Sequence, residues 1–539
     1  MNEIIKLENG KRGIVRSPNL IWYAASFIVS SVLLALAVTR IDFHADEAIY
    51  LSGIPLSLSN DSGLLYHAIY LALGMGAPTP VSARWASLLL GLVMIASSTR
   101  VVYRMIPVTN RWVAALTPIL LVLSYQGIFS ILRVRPEISW IAVSSVAVLS
   151  LIELRAKKSL GWQILLVVAM VLLPMNHLLS LLACVFFGGY IVMFGRVFLG
   201  IPQSCIAMLA MPIGLVLNRV IRSWMVIGQV EFLPSLGSGS SSVRVPIAEF
   251  LWNVFWNAPK FLGDTAATPS WWRIILMQSG DSDGLHCLVA NSFWGVALLA
   301  PLFFQHWEQR YVAAIPLFSL IAFYCSGYFN PTYAPLLAIF GLLTFVVSFA
   351  RELRWSSRKI IAATVIVVSL LNGGSFLTTR VMNHGTATFF VTEANLRAKL
   401  ASSPESLCIA VAERLQSVVP KQVRRKSILF KEAIPNDVDI IVIDHYDLEM
   451  YRFVPDYEVR RAEIEDLLSK MEHWEHFVRP VYKRELLFDR VKQNQSIASE
   501  QGSWFFRNSV DYKITVLQSL HFAKLAKAGA NTTGERLHK

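Results

Sequence analysis

Long apolar stretches separated by short polar segments dominate the first two-thirds of the chain. A helix that crosses a lipid bilayer needs about 20 mostly apolar residues, and eleven stretches approach that length. They are Leu20–Thr39, Arg84–Met105, Trp112–Ile131, Ile138–Leu154, Leu160–Leu173, His177–Gly195, Ile201–Asn218, Cys287–Gln305, Tyr311–Gly327, Thr332–Ala350 and Ile360–Thr378. The pattern predicts an α-helical polytopic membrane protein with about 11 transmembrane helices.

Composition supports this class. Hydrophobic residues make up 54% of the 539 residues and charged residues only 16%, whereas soluble domains carry roughly a quarter charged residues. The net charge of +13 does not indicate a nucleic-acid partner, because cytoplasmic loops of membrane proteins collect Lys and Arg. The first apolar stretch lacks a small-residue cleavage site, so we expect it to be retained as an anchor.

The distribution of basic residues predicts the orientation. If the N-terminus is cytoplasmic, every predicted inner segment is basic, as the positive-inside rule requires. The basic residues of these segments are Lys6, Lys11, Arg12, Arg16, Arg100, Arg104, Arg111, Arg155, Lys157, Lys158, Arg196, Arg310, Arg351, Arg354, Arg358 and Lys359. We therefore predict a multi-pass protein of the inner (plasma) membrane, with residues 41–83, 219–286 and the C-terminal tail outside.

The tail has the composition of a soluble protein, which predicts a second domain outside the membrane. We divide the chain into a transmembrane domain over 1–379 and an extracytoplasmic domain and tail over 380–539. Short apolar runs predict strands, and apolar residues at helical spacing predict one helix, in a small α/β domain over about Ser402–Lys492. The predicted strands are Leu407–Ala412, Ser427–Phe430 and Asp439–Asp444, with a helix over Val459–Met471 and a closing hairpin over Val478–Val491. Beyond Gln493 the polar sequence predicts a loose or amphipathic end.

Two adjacent acids, Asp46 and Glu47, follow the first predicted transmembrane helix. Carboxylates at a bilayer surface are partly dehydrated and are often kept for proton chemistry or cation binding. The alternative is a hydrated helix cap. Farther along the same outer segment comes Asp61, which also suits a turn. Arg84 opens the second predicted helix, from which it could extend its side chain to the interface.

These residues resemble the motifs of a known family. The chain reads Asp46-Glu-Ala-Ile-Tyr50, then Asp61 five positions before Tyr66, then Ala83-Arg84 at the second helix. It resembles the GT-C superfamily of membrane glycosyltransferases, in the branch that holds protein O-mannosyltransferases and the lipid A aminoarabinose transferase. The resemblance extends to Arg135-Pro-Glu137, His177 and Asn330-Pro-Thr-Tyr333.

The resemblance implies roles for particular residues. Asp46 matches the family's catalytic base, Glu47 its partner and Asp61 its second acid. Candidate substrate-binding residues are Tyr50, Tyr66, Arg84, Arg133, Arg135, Glu137, His177 and Tyr333. The pair Arg135 and Glu137 could equally be a local ion pair with Pro136 in the first helical turn.

One feature of the aminoarabinose branch is missing. That branch has an Arg three residues after its Asp and a Lys-Pro after its second acid, where this chain has Ile49 and Ser62-Gly63. The cation that binds the donor phosphate must therefore lie elsewhere. The outer candidates are Arg133, Arg135, Arg219, Arg222, Arg244 and Lys260.

The chemistry of the outer face limits the donor. Nucleotide sugars are absent there, so an external glycosyltransferase needs a lipid-linked donor such as a polyprenyl-phosphate sugar. Arg or Lys would neutralise the leaving phosphate, and Asp46 would take the acceptor's proton. We expect one sugar to be transferred, with inversion, to a cell-envelope lipid, glycan or protein. No cofactor or metal is obligatory; a divalent cation is compatible but not indicated, because His44, His67 and His177 fit no ligand spacing.

Two other classes remain open. A transporter or flippase of a lipid-linked saccharide would need charged or broken helices at mid-membrane, whereas here the acids cluster at the outer edge. A non-catalytic envelope scaffold would use the tail as a binding module. The Trp-rich segment with Trp252, Trp256, Trp271 and Trp272 is typical of interfacial anchors, and it also suits sugar stacking.

Overall fold

The structure is a computed structural model. It describes residues 19–40, 47, 64–73, 79–123, 127–176, 180–227, 310–311, 313–315, 334–351, 356–376, 390, 408–411, 419, 424–427, 439–444, 472–478 and 513–518.

Helices dominate the described part of the chain. In chain order they are α1 (Asn19–Ala37), α2 (Leu64–Leu73), α3 (Pro80–Met105), α4 (Leu116–Leu123), α5 (Gly127–Leu132), α6 (Glu137–Ala156), α7 (Leu160–Leu172), α8 (Ser180–Phe198), α9 (Ile201–Ile227), α10 (Ala334–Arg351) and α11 (Ser357–Phe376). Two 3-10 segments, Val108–Ala115 and Leu173–Met175, lead into α4 and continue α7.

The prediction of a helical polytopic membrane protein is confirmed. Four of the described helices are long and apolar enough to cross a membrane: Leu20–Ala37, Pro80–Met105, Glu137–Ala156 and Ile201–Met225. The first and last of these expose many apolar side chains, as a lipid-facing surface does. The predicted helix Cys287–Gln305 lies outside the described residues, as does most of Tyr311–Gly327.

Two predicted helices differ from those observed. Trp112–Ile131 was expected to be one helix, but it starts in a 3-10 segment and continues as α4 and α5. Pro118 explains the change within this stretch, because it has no N–H to donate to the carbonyl of Ala114. The seventh helix was expected to end at Asn218, yet α9 continues to Ile227. Arg219 and Arg222 therefore belong to a helix and not to a loop.

Helices α3 and α6 lie side by side and run in the same direction. Ser87 Oγ donates to the carbonyl of Arg133 at 2.9 Å, Ser97 and Ser145 share a hydrogen bond of 2.7 Å, and Arg104 pairs with Glu153 at 2.6 Å. Parallel neighbours require the chain to cross back between them. The segment from the 3-10 helix to α5 makes that crossing.

The same arrangement recurs at α7 and α9, with α8 returning between them. Asn218 Nδ2 donates to the carbonyl of Pro174 at 3.2 Å. A Cβ placed on Gly214 would lie 2.1 Å from the carbonyl oxygen of Val171. The two helix backbones can approach this closely only because residue 214 is a glycine.

The two ends of the bundle are marked by different charged residues. At one end, Arg100 and Arg104 both bind Glu153, and Asn110 donates to the carbonyl of Ala350. This end carries the basic residues predicted to be cytoplasmic. The opposite end holds the start of α3, the start of α6 and Glu47, and it contains the site described below. Which end faces the cytoplasm stays a prediction.

The described residues of the tail form a five-stranded sheet in the order β2-β1-β3-β5-β4. Its strands are β1 (Cys408–Val411), β2 (Arg424–Ser427), β3 (Ile440–Asp444), β4 (Glu472–Val478) and β5 (Lys513–Gln518). Strands β2, β1 and β3 are parallel, while β5 is antiparallel to both β3 and β4. Strands β1 and β3 are buried along their described side chains.

Four predictions for the tail need correction or fall outside the described residues. The second strand was expected at Ser427–Phe430, but β2 ends at Ser427. The segment beyond Gln493 was expected to be loose or amphipathic, yet it supplies β5, which lies between β3 and β4. The predicted helix Val459–Met471 and the hairpin beyond Val478 lie outside the described residues. The domain limits stay a prediction.

Candidate active site

Glu47 and Arg84 form a buried ion pair at the end of the bundle opposite Glu153. Arg84 Nε donates to Glu47 Oε1 at 3.3 Å, and Arg84 Nη2 donates to Oε2 at 3.2 Å. The exposed fractions of the two side chains are 0% for Glu47 and 1% for Arg84. This two-pronged contact fixes both side chains, because a guanidinium fork and a carboxylate match in shape. A hydrated cap is therefore excluded for Glu47, and so is extension of Arg84 to the interface.

Three segments of backbone meet at this pair. Arg84 Nη1 donates to the carbonyl of Val38 at 2.8 Å, which satisfies a carbonyl group at the end of α1. The N–H of Val134 donates to Glu47 Oε1 at 2.9 Å. The pair therefore joins the end of α1, the start of α3 and the connection between α5 and α6.

The sequence of α3 explains why Arg84 points inward. Thr79 and Ser82 form a reciprocal capping box, and Pro80 occupies the first turn. This start fixes the first turn of the helix. Arg84 and Ser87, three positions apart, therefore share the face that packs on the other helices; both are buried.

The segment Arg133–Val134–Arg135 is held on both sides. Ser87 Oγ donates to the carbonyl of Arg133, and the next peptide N–H, that of Val134, donates to Glu47. Arg135 Nη2 lies 2.9 Å from Glu137 Oε1, and both side chains are buried. The alternative that Arg135 and Glu137 form a local ion pair is thus confirmed.

Tyr66 supports the same segment from α2. Its hydroxyl oxygen lies 2.8 Å from Ser87 Oγ and 3.1 Å from the carbonyl oxygen of Ala83, and both are acceptors within reach of its single proton. Tyr66 is almost fully buried. Its phenol therefore connects α2 to α3 next to Arg84.

His67, beside Tyr66, is buried near a cation. Burial lowers the pKa of His67 to about 4, and the positive charge of Arg222 on α9 contributes to this. The guanidinium of Arg222 is itself buried, and its Nε donates to Asn218 Oδ1 at 3.0 Å. His67 is consequently neutral at physiological pH.

We expect acid to destabilise the protein through His67. The unfolded chain binds a proton at His67 near pH 6.5, whereas the folded chain does so only near pH 4. The stabilisation is therefore complete above pH 6.5 and is lost as the pH falls from there through 4. His67→Gln should reduce the loss of unfolding free energy between pH 7 and 4.5 by roughly 1–2 kcal/mol, allowing for solvent screening.

The measurement is thermal unfolding in detergent at both pH values. Arg222→Gln is the matched control. It removes the positive charge that helps to lower the pKa of His67 but leaves His67 buried, so it should reduce the acid sensitivity less than His67→Gln does. Equal acid sensitivity of wild type and His67→Gln would contradict the claim that His67 causes the loss of stability in acid.

The buried charges at this end are predominantly positive. Among the described residues they comprise the guanidinium groups of Arg84, Arg133, Arg135 and Arg222 and the carboxylates of Glu47 and Glu137. Such a set favours an anionic ligand. No group of three or more metal-ligating side chains occurs among the described residues.

The structure brings together several predicted site residues, namely Glu47, Tyr66, Arg84, Arg133, Arg135 and Glu137. Others lie outside the described residues: Asp46, Tyr50, Asp61, His177, Tyr333, Arg244 and Lys260. Sequence reasoning missed Ser87 and Asn176. Ser139 Oγ donates to Asn176 Oδ1 at 2.7 Å, which ties α6 to the residue before His177. Serine and asparagine are too common in helices for their type alone to signal this.

The fold is similar to that of a solved crystal structure. ArnT from Cupriavidus metallidurans, in the apo state, superposes with a TM-score of 0.54 at 12% identity, over 93% of this chain and 98% of that chain. The chain shares the fold of that protein. Because the match covers 93% of this chain, the similarity extends into the C-terminal tail. The fold expected from the family resemblance is confirmed.

Other comparisons are weaker. ArnT bound to undecaprenyl phosphate gives a TM-score of 0.49 at 12% identity, over 92% of this chain and 97% of that chain. The Saccharomyces cerevisiae protein O-mannosyltransferase Pmt1–Pmt2 complex, bound to its sugar donor, gives 0.32 at 13% identity. That match covers 42% of this chain and only 35% of the yeast chain. No protein-family model matches the sequence, and comparison with curated proteins finds no match.

Proposed function

We propose that this GT-C protein is a membrane glycosyltransferase that moves one sugar from a polyprenyl-phosphate donor to a cell-envelope lipid, glycan or protein on the outer face. The observation that carries the proposal is the buried Glu47–Arg84 pair, because Glu47 immediately follows Asp46 in the chain. The shared fold supports this reaction class by analogy alone. The residues supply the chemistry.

Asp46 is the proposed base. The acceptor hydroxyl attacks the anomeric carbon while the carboxylate of Asp46 takes its proton. The bond between the anomeric carbon and the phosphate oxygen breaks, and polyprenyl phosphate leaves with the electron pair. A single displacement inverts the anomeric centre and needs no covalent enzyme intermediate.

Glu47 is the proposed positioning residue for this base. Its carboxylate accepts hydrogen bonds from Arg84 and from the N–H of Val134, and it is fully buried. It is therefore suited to hold the backbone next to Asp46 more than to contact a sugar. An anchored neighbour limits the freedom of Asp46 and so preserves the geometry that proton transfer requires.

The proposed phosphate site uses the buried cations. Arg133 and Arg135 flank the Val134 N–H, whose bond to Glu47 is 2.9 Å long. Arg222 adds positive charge from α9, close enough to act on His67. Guanidinium groups at a partly dehydrated site stabilise the negative charge that grows on a departing phosphate. Asp61, Tyr50, His177 and Tyr333 stay candidates for contacts with the acceptor or the sugar.

A transfer assay tests this proposal. The purified protein in lipid nanodiscs is incubated with polyprenyl-phosphate sugars labelled in the sugar, together with envelope glycolipid extracted from a strain that lacks the protein. We expect the label to move to the extract, and Arg133→Gln to slow the transfer roughly tenfold to a hundredfold. Movement of intact donor between leaflets of a proteoliposome, without transfer, would instead support a flippase.

A further inference from the structure

A residue from beyond the last described helix covers the buried ion pair. The ring of Phe390 lies over the guanidinium of Arg84, with 5.3 Å between Arg84 Cζ and the ring centroid. Phe390 is buried, although α11 ends at Phe376 and Arg84 is near the start of α3. The contact therefore joins positions far apart in the chain.

The hydrogen bonds of Arg84 explain why an aromatic ring suits this place. The N–H groups of a guanidinium point outward in its plane. Nε and Nη2 donate to Glu47, and Nη1 donates to the carbonyl of Val38. The flat faces of a guanidinium carry no N–H and are weakly hydrated, so an aromatic face is a favourable neighbour for them.

We infer that Phe390, which lies beyond the last described helix in the chain, is a positioning residue for the Glu47–Arg84 pair and thereby part of the catalytic site. Its ring excludes water from the ion pair, which strengthens the attraction between the two charges. It also attracts the cation through its quadrupole. Removing the ring would admit water and loosen the anchor next to Asp46.

The effect on transfer rests on the proposed function, whereas the coupling to Arg84 does not. Phe390→Leu keeps an apolar side chain but removes the aromatic face. We expect it to slow sugar transfer roughly threefold to thirtyfold, the range for a partly desolvated cation–aromatic contact. Phe390→Tyr keeps the face and should stay within about twofold of wild type.

Phe187→Leu is the matched control. Phe187 is buried on α8 and packs edge-on against Phe186, at a distance from the site along the chain. Its loss removes a core aromatic ring without touching the pair, so we expect transfer within about twofold of wild type after correction for the amount of folded protein.

A double-mutant cycle on thermal unfolding tests the coupling without any transfer assay. Phe390→Leu should lower the unfolding temperature in the wild-type background and change it far less in an Arg84→Gln background, because the cation is gone. Equal shifts in both backgrounds would overturn the inference. Where wild type transfers sugar, equal transfer by Phe390→Leu and wild type would also overturn it, as would a loss in Phe390→Tyr as large as in Phe390→Leu.

The two possible failures are distinguishable. If wild type transfers no sugar but the cycle shows coupling, the proposed function fails and the role of Phe390 at the ion pair stands. If wild type transfers sugar but either readout fails to respond to Phe390→Leu, the inference fails and the proposed function stands.

Discussion

Arg84→Gln is expected to lower the free energy of unfolding by about 3–5 kcal/mol, because it leaves the carboxylate of Glu47 buried without its counter-charge. Glu47 has no exposed surface, so water cannot replace the guanidinium without opening the helix ends. The N–H of Val134 would be the remaining partner shown for Oε1. Glu47→Gln should cost a similar amount for the converse reason.

Thermal unfolding in lipid nanodiscs measures this effect. The double variant Arg84→Gln/Glu47→Gln should recover part of the loss, since two amides can hydrogen-bond without a buried charge. Arg100→Gln is the matched control at the basic end: Arg100 also binds a buried glutamate, but its side chain is 45% exposed and Glu153 keeps Arg104. We expect less than about 1 kcal/mol there. Equal effects of Arg84→Gln and Arg100→Gln would refute the anchoring role.

Asp46→Asn is expected to reduce sugar transfer by about 10²–10⁴-fold while leaving the protein folded. An amide has nearly the shape of the carboxylate but cannot take a proton from the acceptor hydroxyl, and general-base assistance contributes a factor of this size. The unfolding temperature should stay within a few degrees of wild type, in contrast to Arg84→Gln.

The contrast between neighbouring residues makes this test specific. Asp46→Asn should impair transfer but not stability, while Glu47→Gln should impair both. Asp61→Asn, measured in parallel, shows how much the second acid contributes to transfer compared with Asp46. If Asp46→Asn transfers sugar at the wild-type rate, Asp46 is not the base.

Much of the helical layout could be predicted because the bilayer imposes it. A backbone in lipid must satisfy its own hydrogen bonds, so a long apolar stretch is almost obliged to be a helix. Hydropathy marks the lipid boundary, however, and not the helix end. The helix end predicted at Asn218 was therefore too early, because α9 continues through Arg219 and Arg222 to Ile227.

In the tail, β5 was missed for a related reason. Its sequence, Lys513-Ile-Thr-Val-Leu-Gln518, favours a strand, yet polar flanks and distance from the other strands made the segment resemble a loose end. Pairing with β3 and β4 is a long-range contact that local patterning does not encode.

The candidate site shows the same division between local and long-range information. Residue type and topology singled out Glu47 and Arg84, but nothing in the sequence indicated that they bind each other across 37 positions. Nothing in the sequence indicated a role for Phe390, because a single phenylalanine does not stand out in a chain rich in apolar residues. Its significance comes only from its place over Arg84.

Mass spectrometry of envelope glycolipids and glycans tests the central claim most directly. Material from a strain lacking this protein is compared with that from the same strain supplied with wild type or with Asp46→Asn. We predict that one product loses the mass of a single sugar in the deletion strain, that wild type restores it, and that Asp46→Asn does not. Unchanged product masses together with accumulation of a lipid-linked saccharide in the inner leaflet would contradict glycosyl transfer and favour a flippase.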